Sequence, residues 1–130
     1  MEGMDDNRGK PWLSAAEEAW RLPTSQVVRN LRETIGVRLV AYVGGATTAS
    51  TVTAWAEGSA APDADTASRL RTTLEVTLVL AQRWDPTTIG TWFKGANPEL
   101  GDDAPARVIR ESPAGQDHSV LVAARSAMIE

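Results

Sequence analysis

The stretch "RLVAYVGGATTASTVTAWAEG", residues 38–58, decides how the chain is read. Its apolar residues fall at helical rather than alternating spacing, and a Gly-Gly pair interrupts them. Val37 to Val43 reads as a short apolar helix, and Gly44-Gly45 as a turn. A hydroxyl-rich helix follows, which Thr47 or Thr48 can cap and Gly58 can end in the left-handed region. Ala41 is a small residue where two helices can touch, Gly45 can supply positive φ, and Val52 and Trp55 form an i, i+3 apolar pair. This is the spacing of a helix-turn-helix, with the interval from turn to valine one residue longer than usual.

With Val52 and Trp55 inward, the second helix presents Thr47, Thr48, Ser50, Thr51 and Thr53. Hydroxyls and a helix N-terminus can hydrogen-bond phosphates, and a threonine methyl can touch a thymine methyl. No lysine or arginine lies on this helix, so the bidentate contact to guanine is missing. Two readings stay open: a DNA-reading helix, and a structural helix whose hydroxyls face water.

Charge sharpens the question. The chain of 130 residues carries a net charge of −4, which argues against a protein that coats nucleic acid. Arg21, Arg29, Arg32 and Arg38 precede the motif with only Glu33 among them, whereas Leu39 to Ser68 contains no basic residue. Arg29, Arg32 and Arg38 are therefore the candidate phosphate contacts beside the hydroxyls. No run is long and apolar enough to cross a membrane. The mixed-charge start "MEGMDDNRGK" does not resemble a secretion signal, and without cysteine there is neither disulfide framework nor thiolate chemistry. A cytoplasmic protein is expected.

Outward from the motif the pattern is all-α. Residues 1–11 read as an unpatterned tail. A helix should start at Ser14, with Glu17 completing a capping box, and stop before Pro23. Thr24 or Ser25 should cap the next, in which Val27, Val28, Leu31 and Ile35 recur until Gly36. Pro62-Asp63 should open a long helix with Leu70, Leu74 and Leu78, Ala67 and Ala81 on its core stripe and Arg69, Arg71 and Glu75 in solvent. Asp85-Pro86 starts another helix, containing Trp92 and Phe93 and ending at Gly95. After the Asn97-Pro98 turn come a short helix in "APARVIRES", a loop at residues 112–117, and a last helix from His118 to Ile129.

The run "TWFKGANPELGDDAPARVIRE" followed by "VLVAARSAM" resembles the toxin-binding domain of the Xre/MbcA/ParS antitoxins, the small partners in RES–Xre-type toxin–antitoxin systems. The resemblance rests on Trp92, Phe93, Asn97, Pro98, Leu100, Pro105, Ile109, Arg110, Val120, Ala123 and Ala124. Residues 38–58 with "ASRLR" are similar to the Xre-type region of actinobacterial members. It implies an Xre-type helix-turn-helix bundle over residues 12–84 and a toxin-binding domain over 85–130, both packing on the long helix. It further implies a homodimer that neutralises a cognate, NAD-consuming RES-type toxin by direct binding and represses its own operon at operator DNA. The toxin contacts carried over are Arg107, Arg110, Arg125, Met128, Ile129 and Glu130. A transcription regulator without a toxin partner, and an adaptor that has lost DNA binding, are the alternatives.

Catalysis is not expected. Asp117, His118 and Ser119 are neighbours in sequence, whereas a triad is a matter of geometry. One histidine and no cysteine make a poor zinc set. The glycines of "GVRLVAYVGG" match neither a P-loop nor a dinucleotide loop. Asp102 and Asp103 are expected to begin a helix, where negative charge is favourable. No cofactor is expected.

Overall fold

A computed structural model of the chain describes residues 11–112 and 118–129. The described residues are helical without a strand: α1 (Pro11–Arg21), α2 (Thr24–Ile35), α3 (Val37–Gly44), α4 (Ala49–Glu57), α5 (Ala64–Leu80), α6 (Pro86–Lys94), α7 (Pro105–Glu111) and α8 (Ser119–Ile129). A single 3₁₀ turn, Pro98–Leu100, lies between α6 and α7. The expected all-α class holds. Most of the tail, the loop at 113–117 and Glu130 lie outside the described residues.

Punctuation by glycine and aspartate placed most boundaries correctly. Gly45 and Gly58 both lie in the left-handed region, at φ 72° and 79°. The same pair of bonds closes both helices. Ala46 N–H reaches back to Ala41 O at 2.8 Å, and Ser59 N–H to Ala54 O at 3.0 Å. These are Schellman closures, which take up carbonyls that the helix leaves unpaired. Asp63 and Asp85 cap α5 and α6 by accepting the N–H of Thr66 and Thr88, each at 2.8 Å.

The start sites that rested on serine and threonine caps need correction. α1 begins at Pro11, so Ser14 lies inside it and is not its cap. Pro23 holds the N-cap position of α2, its carbonyl taking the N–H of Gln26 and Val27; Thr24 is already helical. Thr48 does stand at the N-cap of α4, but its hydroxyl bonds Ser50 and Thr51 rather than the helix backbone. Asp102 adopts a left-handed φ of 68° and α7 starts only at Pro105, so the two aspartates precede the helix.

The largest correction concerns α5. Helices α1, α2, α3, α7 and α8 all pack against it, and every residue from Thr72 to Thr77 is buried. It is the axis of the bundle and has no solvent face of the kind expected. Its polar residues find partners inside. The Thr73 and Thr77 hydroxyls donate to Arg69 O and Leu74 O, each at 2.8 Å. Glu75 accepts the Trp20 indole N–H at 3.0 Å. Around this axis one apolar cluster joins Val28 and Leu31 of α2, Val40 of α3, Val52 of α4, Phe93 of α6, Ile109 of α7 and Val120 of α8.

α3 and α4 approach closely at Gly44. A Cβ there would lie 2.9 Å from Trp55 Cζ3 and 3.2 Å from Cη2. Gly44→Ala should therefore destabilise the protein by about 1–3 kcal/mol, the usual cost of overpacking. Gly90→Ala, in a helix with nothing within 4 Å of the new methyl, should stabilise by about 0.5–1 kcal/mol. Denaturant unfolding of the two variants checks the pair, and equal effects would refute the contact.

A second expectation concerns acid. The Thr66 and Thr88 hydrogen bonds hold the Asp63 and Asp85 carboxyls below the ordinary carboxylate range. A depressed folded pKa gives stability that is complete above the unfolded value of about 4 and is lost as pH falls through the folded value. The thermal midpoint should drop below about pH 4, and less steeply with both residues changed to asparagine, which caps without titrating. Identical pH slopes would show that the caps are not the titrating groups.

Candidate functional site

The outward surface of the α3–α4 hairpin carries the expected hydroxyls. Thr47, Thr48 and Ser50 are exposed, and Thr51 and Thr53 are half-buried. Thr48 Oγ1 stands 3.0 Å from Ser50 Oγ and 3.3 Å from Thr51 Oγ1, a small hydroxyl cluster at the N-terminus of α4. Val52, Trp55 and Ala56 are buried on the other side, as the spacing required.

The arginines meant to accompany them are not all at hand. Arg29 donates to Ala56 O at 2.6 Å and to Gln26 Oε1 at 2.7 Å, so it is committed to the last turn of α4. Arg32 is half-buried and Arg38 exposed. Arg38 lines a shallow groove of about 360 Å³ together with Tyr42, Lys94 and Arg107. One candidate phosphate contact and one candidate toxin contact thus share a basic groove that the sequence did not foretell.

Arg29 is one of a set. Arg69 reaches Val43 O at 3.2 Å and Gly44 O at 3.5 Å. Arg71 reaches Ala19 O at 3.0 Å, Leu22 O at 2.7 Å and the Thr24 hydroxyl at 3.0 Å. Arg83 reaches Met128 O, and Arg110 reaches Tyr42 O, each at 2.6 Å. Apart from the Thr24 hydroxyl, these acceptors are carbonyls at or just beyond the C-terminal turn of a helix, where acceptors lack intrahelical donors and the dipole is negative. These charges serve the fold first.

The residues carried over as toxin contacts fall into two groups. Arg107 and Arg110 stand on α7, which packs on α3. Arg107 pairs with Glu111 at 3.1 Å and Asp103 at 3.7 Å, and these carboxylates, Glu111 foremost, push its pKa up. Arg110 lies over the Tyr42 ring, 4.7 Å from its centroid, besides holding its carbonyl. Arg125, Met128 and Ile129 belong to α8, where Arg125 and Met128 are half-buried and Ile129 is 85% exposed. Glu130 lies outside the described residues.

A different grouping emerges around the Asn97-Pro98 turn. Asn97 Oδ1 accepts Glu99 N–H at 2.9 Å, and its carbonyl takes Leu100 N–H and Asp102 N–H, each at 2.9 Å. The turn helps line a groove of about 630 Å³ with Trp84, Trp92, Ala123, Ala127, Arg83 and Glu99. Trp92 stands edge-on to the buried Phe93, centroids 5.4 Å apart. Trp84 and Arg83, beyond the end of α5, had no signal in the sequence that would place them here. Among the described residues no three His, Asp or Glu side chains are grouped to hold a metal ion. No helix among them is long and apolar enough to cross a membrane.

Compared with known proteins, the chain matches no family model, no curated protein and no solved structure.

Arg110 offers a measurable link between α7 and α3. Arg110→Ala should cost about 1 kcal/mol in denaturant unfolding. In a double-mutant cycle with Tyr42→Ala, the stacking should appear as a coupling of about 0.5–1 kcal/mol. Zero coupling would mean that the ring and the guanidinium are merely neighbours.

Proposed function

We propose that this chain is an antitoxin, a small all-α protein that neutralises a cognate toxin by binding it directly. The partner the resemblance suggests is an NAD-consuming RES-type enzyme. The observation that carries the reading is the groove between Trp84 and Trp92. It is built from the same Trp92 and Asn97-Pro98 on which the resemblance rests. Tryptophans beside an arginine are the composition of protein-binding hot spots, and the alanines leave room for a partner's side chains. Arg83 lines this groove and also holds Met128 O, so the end of α8 with its exposed Ile129 borders it. The function asks for no catalytic step.

A second activity, repression of its own operon, is favoured by the exposed Thr48–Ser50–Thr51 cluster on a hairpin of helix-turn-helix spacing. Such a reader would act as a homodimer on two half-sites. Its electrostatics would be modest. With Arg29 committed to Ala56 O, Arg32 and Arg38 on two subunits limit the slope of log affinity against log salt to about −4.

Co-expression with the neighbouring gene tests the first reading. Growth should be rescued and a stoichiometric complex co-purified. Trp92→Ala should weaken that complex about 30-fold, the effect of losing a hot spot. Ile129→Asp, on an exposed side chain, should weaken it without touching the fold. A harmless neighbour with no complex would overturn the antitoxin reading. Operator binding that survives Arg38→Ala and Thr51→Ala together would exclude the hairpin as its reader.

A further inference from the structure

The cavity bounded by α1, α5 and α8 holds two opposite charges that do not meet. Its volume is about 360 Å³. Glu75 enters it from the middle of α5, only 8% exposed, with the Trp20 indole N–H at 3.0 Å on Oε1. Arg125 enters it from α8, and its Nε is buried without a hydrogen-bond partner. Among the described residues no ion pair joins the two.

Burying a carboxylate is costly, and so is leaving a guanidinium N–H unmade. Direct contact across the cavity would relieve both. The groups instead line one cavity without an ion pair between them, which suits a molecule with a donor for Glu75 and an acceptor for Arg125. We propose that this cavity binds an amino-acid-sized zwitterion, its ammonium on Glu75 and its carboxylate on the Arg125 guanidinium. Leu121 and Val122 supply an apolar side to the cavity. Trp20 and Val122, 48% and 54% exposed, leave apolar surface open for the ligand's own side chain. The volume lies within the range of small-molecule sites, about 300–1,000 Å³. An acid alone would satisfy only Arg125, and an amine alone only Glu75. The site lies apart from the Trp84–Trp92 groove and does not depend on the antitoxin reading.

The experiment is calorimetric titration of the whole chain with the common L-amino acids at millimolar concentration. It is then repeated with the decarboxylated and deaminated analogues of the best binder. At least one amino acid should bind saturably and raise the thermal midpoint, and each single-charge analogue should bind at least about 10-fold more weakly. Glu75→Gln keeps an acceptor for Trp20, and with Arg125→Met it should reduce affinity by a similar factor. Val122→Trp, which fills the cavity's opening and leaves both charges in place, should abolish binding even if an inner variant fails to fold. No saturable binding by any amino acid would overturn the proposal. So would an acid analogue that binds as well as its parent, or binding that survives Val122→Trp.

Discussion

A bundle of short helices has a problem of ends. Each helix leaves its last four carbonyls without an internal donor, which for helices of seven to twelve residues is a third or more of the backbone. When such helices surround a buried axis, many of those carbonyls face protein instead of water. Here side chains from other helices supply the missing donors. Arg71 of α5 reaches the end of α1, Arg69 the end of α3 and Arg29 of α2 the end of α4, while Arg110 and Arg83 serve α3 and α8. Each guanidinium also brings positive charge to a negative dipole end. The packing of α5 on its neighbours is thus held by apolar contact along its length and by arginines at the rims.

The same arrangement shows that charge counted along the sequence does not say which arginines are free. Positive residues before the hairpin suggest a surface for phosphate, yet Arg29 ends on Ala56 O and is not free. Arg110, carried over as a contact for a partner, holds α7 on α3. Arg38, Lys94 and Arg107 converge through packing alone, from three separate helices. Trp84 and Trp92, by contrast, are only partly buried and line a groove.

Features with local causes were legible in the sequence. Gly36, Gly45 and Gly58 act on the backbone wherever they stand, and Asp63 and Asp85 bond the N–H three residues on. Hence most of α2 to α6 could be placed in advance. Serine and threonine misled at Ser14, Thr24 and Thr48, since a hydroxyl caps a helix, bonds its own preceding turn or meets another hydroxyl with similar ease. The burial of α5 was not legible, because Thr72, Thr73, Glu75 and Thr77 look like a solvent face until α1 and α8 cover them. In the groove, Trp92 and Asn97-Pro98 were marked beforehand only by the resemblance that rests on them. Trp84 was not, since its place depends on where α8 comes to lie.

Because the arginines grip main-chain oxygen, their hold is indifferent to the side chains at the positions they grip. Ala19, Leu22, Val43, Ala56 and Met128 each offer a carbonyl that any amino acid would offer equally. Substitutions at those sites are filtered by packing alone, whereas the donors Arg29, Arg69, Arg71 and Arg83 cannot drift even to lysine without losing their planar fork. Among divergent descendants of this chain, constancy should therefore collect on arginines such as Arg69 and Arg71, which lie away from the Trp84–Trp92 groove. An observer of such an alignment would be tempted to read architecture as a nucleic-acid footprint.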